Sequence, residues 1–433
     1  MSLIGQTIKW HRMRQGMTQE QLSEDICSSA YLSKLENNQI SFNKEIVSQL
    51  CERLDLPIES FTKQPNEELQ ETLQEWMEAL HRFDQTEATA CYEKVQKLST
   101  EHIPVEQSYL YELSLFGHYL LTQQTDRANE KYSDIKSFAW ILEKHYAYSY
   151  HKFIGSYYLQ KLYCSNAINH FKKAEETLKD TSDPELYLLM ATAYTRMEKI
   201  LRSNKYAQKA YQMFQTELDY TRIIICQLIL GLNYCLIEDF ESAEDYFKKL
   251  RSLEENQVGS SIKATIYSFD GILQLKKKDY EQAKACFEKA LEYETDFQVL
   301  LISHHFLSIA YLRSGQTDSA MEEARTGIKV AEKYQVDRYQ MKLKTILYYL
   351  EGRKEELVQL LMKKIIPFFQ RLGEDYELFS YHLMTGSLLF EMKRYKDASN
   401  HLLAAYEVNG TESVLIPKSK SAKLSPSLPF DSP

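Results

Sequence analysis

Apolar residues return every three or four positions along most of this chain, and from Glu67 to about Val408 hardly any stretch alternates with the two-residue period of a strand. Ile4, Ile8 and Met13 form one stripe and predict a first helix over residues 3–15, which Gly16 is placed to stop. Thr18 then lies three residues before Gln21, the spacing at which a threonine caps a helix and a glutamine reaches back to the cap's own amide. The helix that starts there carries Leu22 and Ile26; Cys27 and Ser28 break its stripe, and Leu32 and Leu35 begin another on a second short helix. Asn43 is suited to cap a fourth helix, with Ile46, Val47, Leu50 and Leu54 inward and Pro57 marking its end. These elements make a bundle of about 60 residues, a size only marginally stable alone.

Two short helices joined by a tight turn suit DNA, because the second can enter the major groove. Its outward face carries Ser28, Ser29, Tyr31, Ser33 and Lys34, whose side chains can donate to phosphates or base edges, and Gln19, Arg12 and Arg14 complete the candidate DNA-binding set. The runs Met17-Thr18-Gln19, Gln21-Leu22-Ser23 and Leu32-Ser33-Lys34-Leu35-Glu36-Asn37, continued by Asn43–Leu56 with its Leu-Asp-Leu-Pro ending, resemble the Xre/Cro class of helix-turn-helix domains. The chain departs from that pattern at Cys27, where glycine is common, and at Ser23, which replaces the usual alanine between the helices.

Beyond residue 61 the pattern becomes periodic. Small residues fall at Ala128, Ala167, Ser203, Ala243, Ala283, Ala320 and Ala398, at intervals of 39, 36, 40, 40, 37 and 78. Twelve before six of them stand Gly155, Ala191, Gly231, Gly271, Ser308 and Gly386. Each unit thus reads as a helix pair whose first helix needs a small residue where the second crosses it. The pattern resembles tetratricopeptide repeats, most clearly in 155–174 and 271–293. The expected fold is all-α: a helix-turn-helix bundle at 1–61, a hinge, connector helix and degenerate first repeat at 62–105, a right-handed solenoid of repeats at 106–407, and a disordered Ser-, Pro- and Lys-rich tail at 408–433. Within this scheme Thr62–Glu67, holding Pro65, is the expected hinge, and 337–372 lacks the small-residue signature.

Charge and composition sharpen the picture. The 433 residues are 44% hydrophobic and 26% charged, and neither a membrane-length apolar run nor a signal-peptide pattern occurs, so a cytoplasmic protein without a membrane contact is expected. Seven scattered cysteines without a C-x-x-C pair exclude a disulfide framework and a thiolate metal site as readings. No phosphate-binding glycine loop and no H-E-x-x-H is present, and the adjacent His304 and His305 project about 100° apart on a helix; no cofactor, metal or catalytic constellation is expected, and the protein reads as a non-enzyme. Net charge is −9, and residues 1–65 hold seven Lys and Arg against eight Asp and Glu, leaving a small patch of Lys9, His11, Arg12, Arg14 and Lys34. One such head binds phosphates weakly at cellular salt, so two copies are expected to act together.

A DNA-reading head on helical repeats resembles the RRNPP family of peptide-responsive regulators of Gram-positive bacteria, nearest its PlcR and NprR branch. The resemblance implies a quorum-sensing transcription factor that binds a pseudo-palindromic operator as a homodimer and carries a short signalling peptide in its repeat groove. The alternative within the family is a Rap-like interaction protein that sequesters a partner through its repeats, with DNA binding secondary or absent. With the crossing residue as reference, first-helix positions three before and one after it are expected to face the groove: Lys152 and Ser156, Leu188 and Thr192, Ser268 and Ile272, and His305. Asn233 joins this peptide-binding set as an amide for peptide backbone, and Lys152 as a cation for a carboxylate.

Overall fold

The computed structural model describes residues 3–41, 43–62, 65–99, 103–179, 181–253, 258–293 and 296–409, and every regular element among them is helical. From residue 410 on the expected tail lies outside the described residues, as do positions 63 and 64 of the expected hinge. The chain divides into two compact units: Met1–Tyr157 with Lys172–Thr181, and Tyr158–Phe171 with the chain from Ser182.

The first unit opens with five helices, α1 (Ile4–Arg14), α2 (Gln19–Ser23), α3 (Ser29–Glu36), α4 (Lys44–Arg53) and α5 (Ile58–Thr62). Local chemistry sets their starts. Thr18 Oγ1 accepts from the Gln21 amide at 3.1 Å while the Gln21 side chain accepts from the Thr18 amide at 2.8 Å, a reciprocal capping box. Ser28 caps α3 through the Tyr31 amide, and Asn43 caps α4 through Glu45 and Ile46. At the other end of α2, Arg53 of α4 donates to the carbonyls of Leu22 and Glu24, which have no partner within the helix. The tight turn is made at Asp25, whose φ is +56°, and not at Cys27. Ile8, Leu22, Leu32, Val47 and Leu50 are fully buried, whereas Met13, expected inward, is 57% exposed because it lies beyond the crossing of α1 with α3. That crossing is close: a Cβ on Gly5 would stand 1.9 Å from the Leu35 carbonyl oxygen.

The head is docked, not tethered. Leu3 donates its amide to Glu106 at 3.2 Å, Thr7 and Tyr109 share a buried hydroxyl–hydroxyl bond of 2.9 Å, Gln6 meets His145 at 3.1 Å, and Trp10 packs edge-on against Phe138. These partners lie on α8 (Val105–Leu121) or near α10 (Ala139–His145), following α9 (Thr125–Ser137). Across the expected hinge, Asn66 exchanges bonds with Gln107 and caps α6 (Glu67–His81). The stretch read as degenerate is a regular helix pair, α6 with α7 (Gln85–Leu98), closed over a fully buried Trp76, which stands twelve before Ala88 where the other repeats carry a small residue.

The second unit is a run of helix pairs built on the crossing rule. Ser203 Oγ donates to the Ala191 carbonyl and Ser308 Oγ to that of Ala320, each joining two crossing positions twelve residues apart. A Cβ on Gly271 would stand 2.7 Å from the Phe287 ring. Over 337–372 the second helix is interrupted by a π turn, Leu361–Ile365, which ends two residues before Pro367, a residue with no amide to offer the regular ladder.

Gly5→Ala tests whether this crossing discipline extends to the head. With backbone as the obstacle, the variant is expected to lose about 2–3 kcal/mol or more of head stability, read by chemical denaturation of the full chain; an unchanged head transition would show that α1 and α3 need not approach so closely.

Candidate functional site

Ser28, Ser29 and Lys34 are exposed on α3, and Tyr31 and Ser33 are half-buried beside them, so one helix face presents hydroxyls, a phenol and an ammonium together. Ser28 spends its acceptor on the cap and keeps its O–H to donate. Behind this face lies a lock. Arg12 is buried and grips Glu36 with two bonds, Nε to Oε1 at 2.6 Å and Nη2 to Oε2 at 2.9 Å; its Nη1 donates to the Met17 carbonyl, and Gln19 Nε2 donates to the same Glu36 at 2.7 Å. Arg12 therefore positions the two helices and does not offer its charge to DNA, and Gln19 is half committed to the same task. Lys9 lies over the Trp140 ring and exposed Arg14 over Trp10. The expected basic patch is thinner than its sequence suggests.

In the repeats, the residues expected on the groove distribute unevenly. Lys152, in the first unit, is fully buried, donates to the His81 carbonyl at 2.8 Å and lies near the Phe83 and Tyr148 rings; Ser156 donates back to Lys152. In the second unit, Asn233 is fully buried, accepts from Thr195 and donates to Ser203 and Asn204, bonding consecutive helix pairs together. Ser268 bonds Ser303 at 2.6 Å, and His305 is interior with no hydrogen bond to either ring nitrogen. These five side chains are packing and network residues. For Lys152, Ser268 and His305 the register explains why: positions three apart share a helix face, so the residue three before a crossing points at the crossing helix and not at the groove.

The residues that do converge come from the neighbouring stripe. Thr192, Leu232 and Ile272, each one after its crossing residue, line a cavity of about 70 Å³ with Ile229 and Phe269, each two before. Arg196, Gln298, Ile302, Arg338 and Tyr339 complete much of its wall. At roughly 30 Å³ per water, this volume suits one compact apolar side chain or about two waters. Arg196 donates to Gln298 at 2.6 Å, joining helices a hundred residues apart. Arg338 is held by Glu374 at 2.5 Å and Glu377 at 3.0 Å, with Lys342 on Glu377 at 2.7 Å, all nearly buried. Burial raises the Glu374 carboxyl and lowers the Lys342 ammonium from their ordinary ranges. Sequence reasoning missed Arg196, Phe269, Gln298 and Arg338; a −2, +1 stripe, instead of −3, +1, would have found Phe269.

With this geometry in hand, the likenesses to known proteins take a clear shape. A helix-turn-helix family matches residues 8–61 and a tetratricopeptide repeat matches 271–297. The transcriptional activator NprA of Geobacillus stearothermophilus is 25% identical over 400 residues, 89% of this chain and 98% of that protein. The response regulator aspartate phosphatase E of Bacillus subtilis (strain 168) is 25% identical over 339 residues, 74% of this chain and 88% of its own. Head and repeats are thus matched together, by a relative that spans nearly the whole chain. Together these likenesses fit a regulator of the RRNPP family. Solved structures share the fold: NprR in complex with its cognate peptide NprX aligns at a TM-score of 0.66 with 18% identity over 80% of this chain and all of that one. A Rap protein complexed with competence and sporulation factor aligns at 0.65 with 20% identity, over 80% of this chain and 98% of that chain. Among the described residues no helix is long and apolar enough to cross a membrane, and no group of three or more metal-ligating side chains occurs.

Two outcomes follow from the interior groups. Arg12→Ala strands Glu36 without its cation and is expected to cost about 3–5 kcal/mol of head stability, while Lys34→Ala, on an exposed side chain, leaves the melting curve within about 0.5 kcal/mol; equal effects in calorimetry would overturn the assignment of Arg12 as a lock. His305 is lowered well below its ordinary value by burial, then by Lys342 and Arg338. The folded state therefore binds fewer protons than the unfolded, so its contribution is complete above about pH 6.5 and falls as pH drops below that. His305→Leu is expected to flatten the loss of Tm between pH 7.5 and 5; an unchanged slope would assign the acid sensitivity elsewhere.

Proposed function

We propose that this chain is a transcription regulator that binds a pseudo-palindromic operator as a homodimer through α3 and is controlled by a short signalling peptide held in the groove of the second unit. The observation that carries the reading is the pairing, in one chain, of a capped and exposed α3 with the likeness to the activator NprA over 89% of the length. Ser28, Ser29, Tyr31, Ser33 and Lys34 read the site, Gln19 contributes from α2, and Arg14 adds a phosphate contact. With so few free cations, one head gains little from counterion release, so affinity comes from two heads at half-sites about 34 Å or a multiple apart. Control follows from preference: a peptide that binds one arrangement of the repeats better than another shifts the population toward it. The chain passes between the two units at 157/158 and 171/172, within the helices Ala147–Gln160 and Cys164–Thr177, and again at 181/182 just after them, which is the route proposed for that shift.

A second reading is favoured by the likeness to aspartate phosphatase E, in which the repeats capture a protein partner and DNA binding is secondary. Ser29→Ala, Tyr31→Ala and Lys34→Ala together separate the two. The triple variant is expected to lose at least roughly 100-fold in specific operator affinity at fixed salt, with unchanged helical content, since each of the three contacts contributes about 1 kcal/mol or more. Footprinting of the DNA beside the gene, with and without any small secreted peptide encoded next to it, supplies the operator. Finding no protected site there or elsewhere in the genome would sink the first reading and leave the second.

A further inference from the structure

The central cavity of the second unit shares wall residues with two others: Arg196 and Arg338 also line a compartment of about 70 Å³, and Ile272 also lines one of about 400 Å³. In the small compartment charge is balanced: Glu198, Glu374, Asp375 and Glu377 line it with Arg196, Lys199 and Arg338, and Lys342 adds a fourth cation by its bond to Glu377. The large compartment is different. Lys276, Lys278 and Arg313 line it with one carboxylate, Glu238, above an apolar floor that includes Leu275 and Phe306, and Glu198 of the small compartment lies within electrostatic reach of Lys276. Lys276 and Arg313 end their helices, Ser260–Lys276 and Phe297–Arg313, where cations already complement the helix dipole. That placement accounts for two of the cations, but not for their gathering with Lys278 around a volume able to hold a whole residue.

We propose that this basic compartment receives a carboxylate of the bound peptide, while an aliphatic side chain next to that carboxylate fills the central cavity across Ile272. The inference rests on the peptide-binding reading above and names its chemistry: a ligand apolar beside an acid, with the acid toward Lys276 and Lys278. An ammonium is a compact point charge that recruits an anion without demanding one geometry, so either the terminal carboxylate or an Asp or Glu side chain satisfies the site.

The test uses the full chain and three pools of random heptapeptides: free C-termini with Asp and Glu omitted, amidated C-termini with Asp and Glu included, and amidated C-termini with Asp and Glu omitted. Peptides retained on the protein after gel filtration are read by mass spectrometry. At least tenfold greater retention from the first or the second pool than from the third is expected, enriched in Leu, Ile or Val beside the acid; which of the two pools is retained tells a terminal carboxylate from a side-chain one. K276Q/K278Q is expected to abolish the preference, K276E/K278E to turn it toward Lys and Arg, and Glu238→Gln to strengthen it, each with unchanged helical content by circular dichroism. Equal retention from all three pools, or the original preference persisting in K276E/K278E, overturns the proposal and leaves peptide binding standing. Retention from none of them overturns both.

Discussion

Close approach of helices at small residues is the constraint on which the rest of this structure depends. Where Gly5 meets the Leu35 carbonyl, or Gly271 the Phe287 ring, a single extra carbon has no room. Where serine replaces glycine, as at Ser203 and Ser308, the hydroxyl uses the short distance to bond the opposing backbone. Each crossing orients the two helices of a pair, and each pair presents its second helix to the next. The groove is a by-product of that stacking, since the stripe beside the crossing residues is left facing inward.

Interior polar groups in both units serve geometry first. Arg12, Glu36 and Gln19 hold α3 against α1 and α2. Asn233 with Thr195, Ser203 and Asn204 spans consecutive repeats, and Arg338 with Lys342, Glu374 and Glu377 spans another pair. A buried ion cluster of this kind adds little net stability over an apolar substitute, but removing one member leaves an uncompensated charge. Such networks therefore make a particular register costly to leave. A solenoid touches only neighbouring repeats, so fixed registers let a small change at one repeat pass along the stack.

Docking of α1 on α8 and around Phe138 joins the head to the first repeats. With Thr7 on Tyr109, Leu3 on Glu106 and Trp10 on Phe138, the head shares a core with the first repeats, and Asn66 with Gln107 bridges the segment expected to bend. The head is a marginal bundle by size, and the repeats give α1 a second surface on which to bury Leu3, Ile4 and Thr7.

What the sequence by itself determined was everything governed by short-range rules. The capping box at Thr18 and Gln21, the Asn43 cap, the stop at Gly16, the polar face from Ser28 to Lys34 and the spacing of crossing residues from Ala128 to Ala398 follow from helix geometry and local hydrogen bonding, and they were legible without a fold. What only the tertiary structure decided was which face of each repeat looks inward and which cations are spent. Arg12 and Lys34 are alike as letters, yet one is buried on Glu36 and the other is exposed. Lys152, Asn233 and His305 look like groove residues until their neighbours are in place, and Arg196, Gln298 and Arg338 converge from helices that no local spacing relates. The physical reason is one of range: a cap is settled within four residues, whereas burial and ion pairing are settled by partners tens to a hundred positions away.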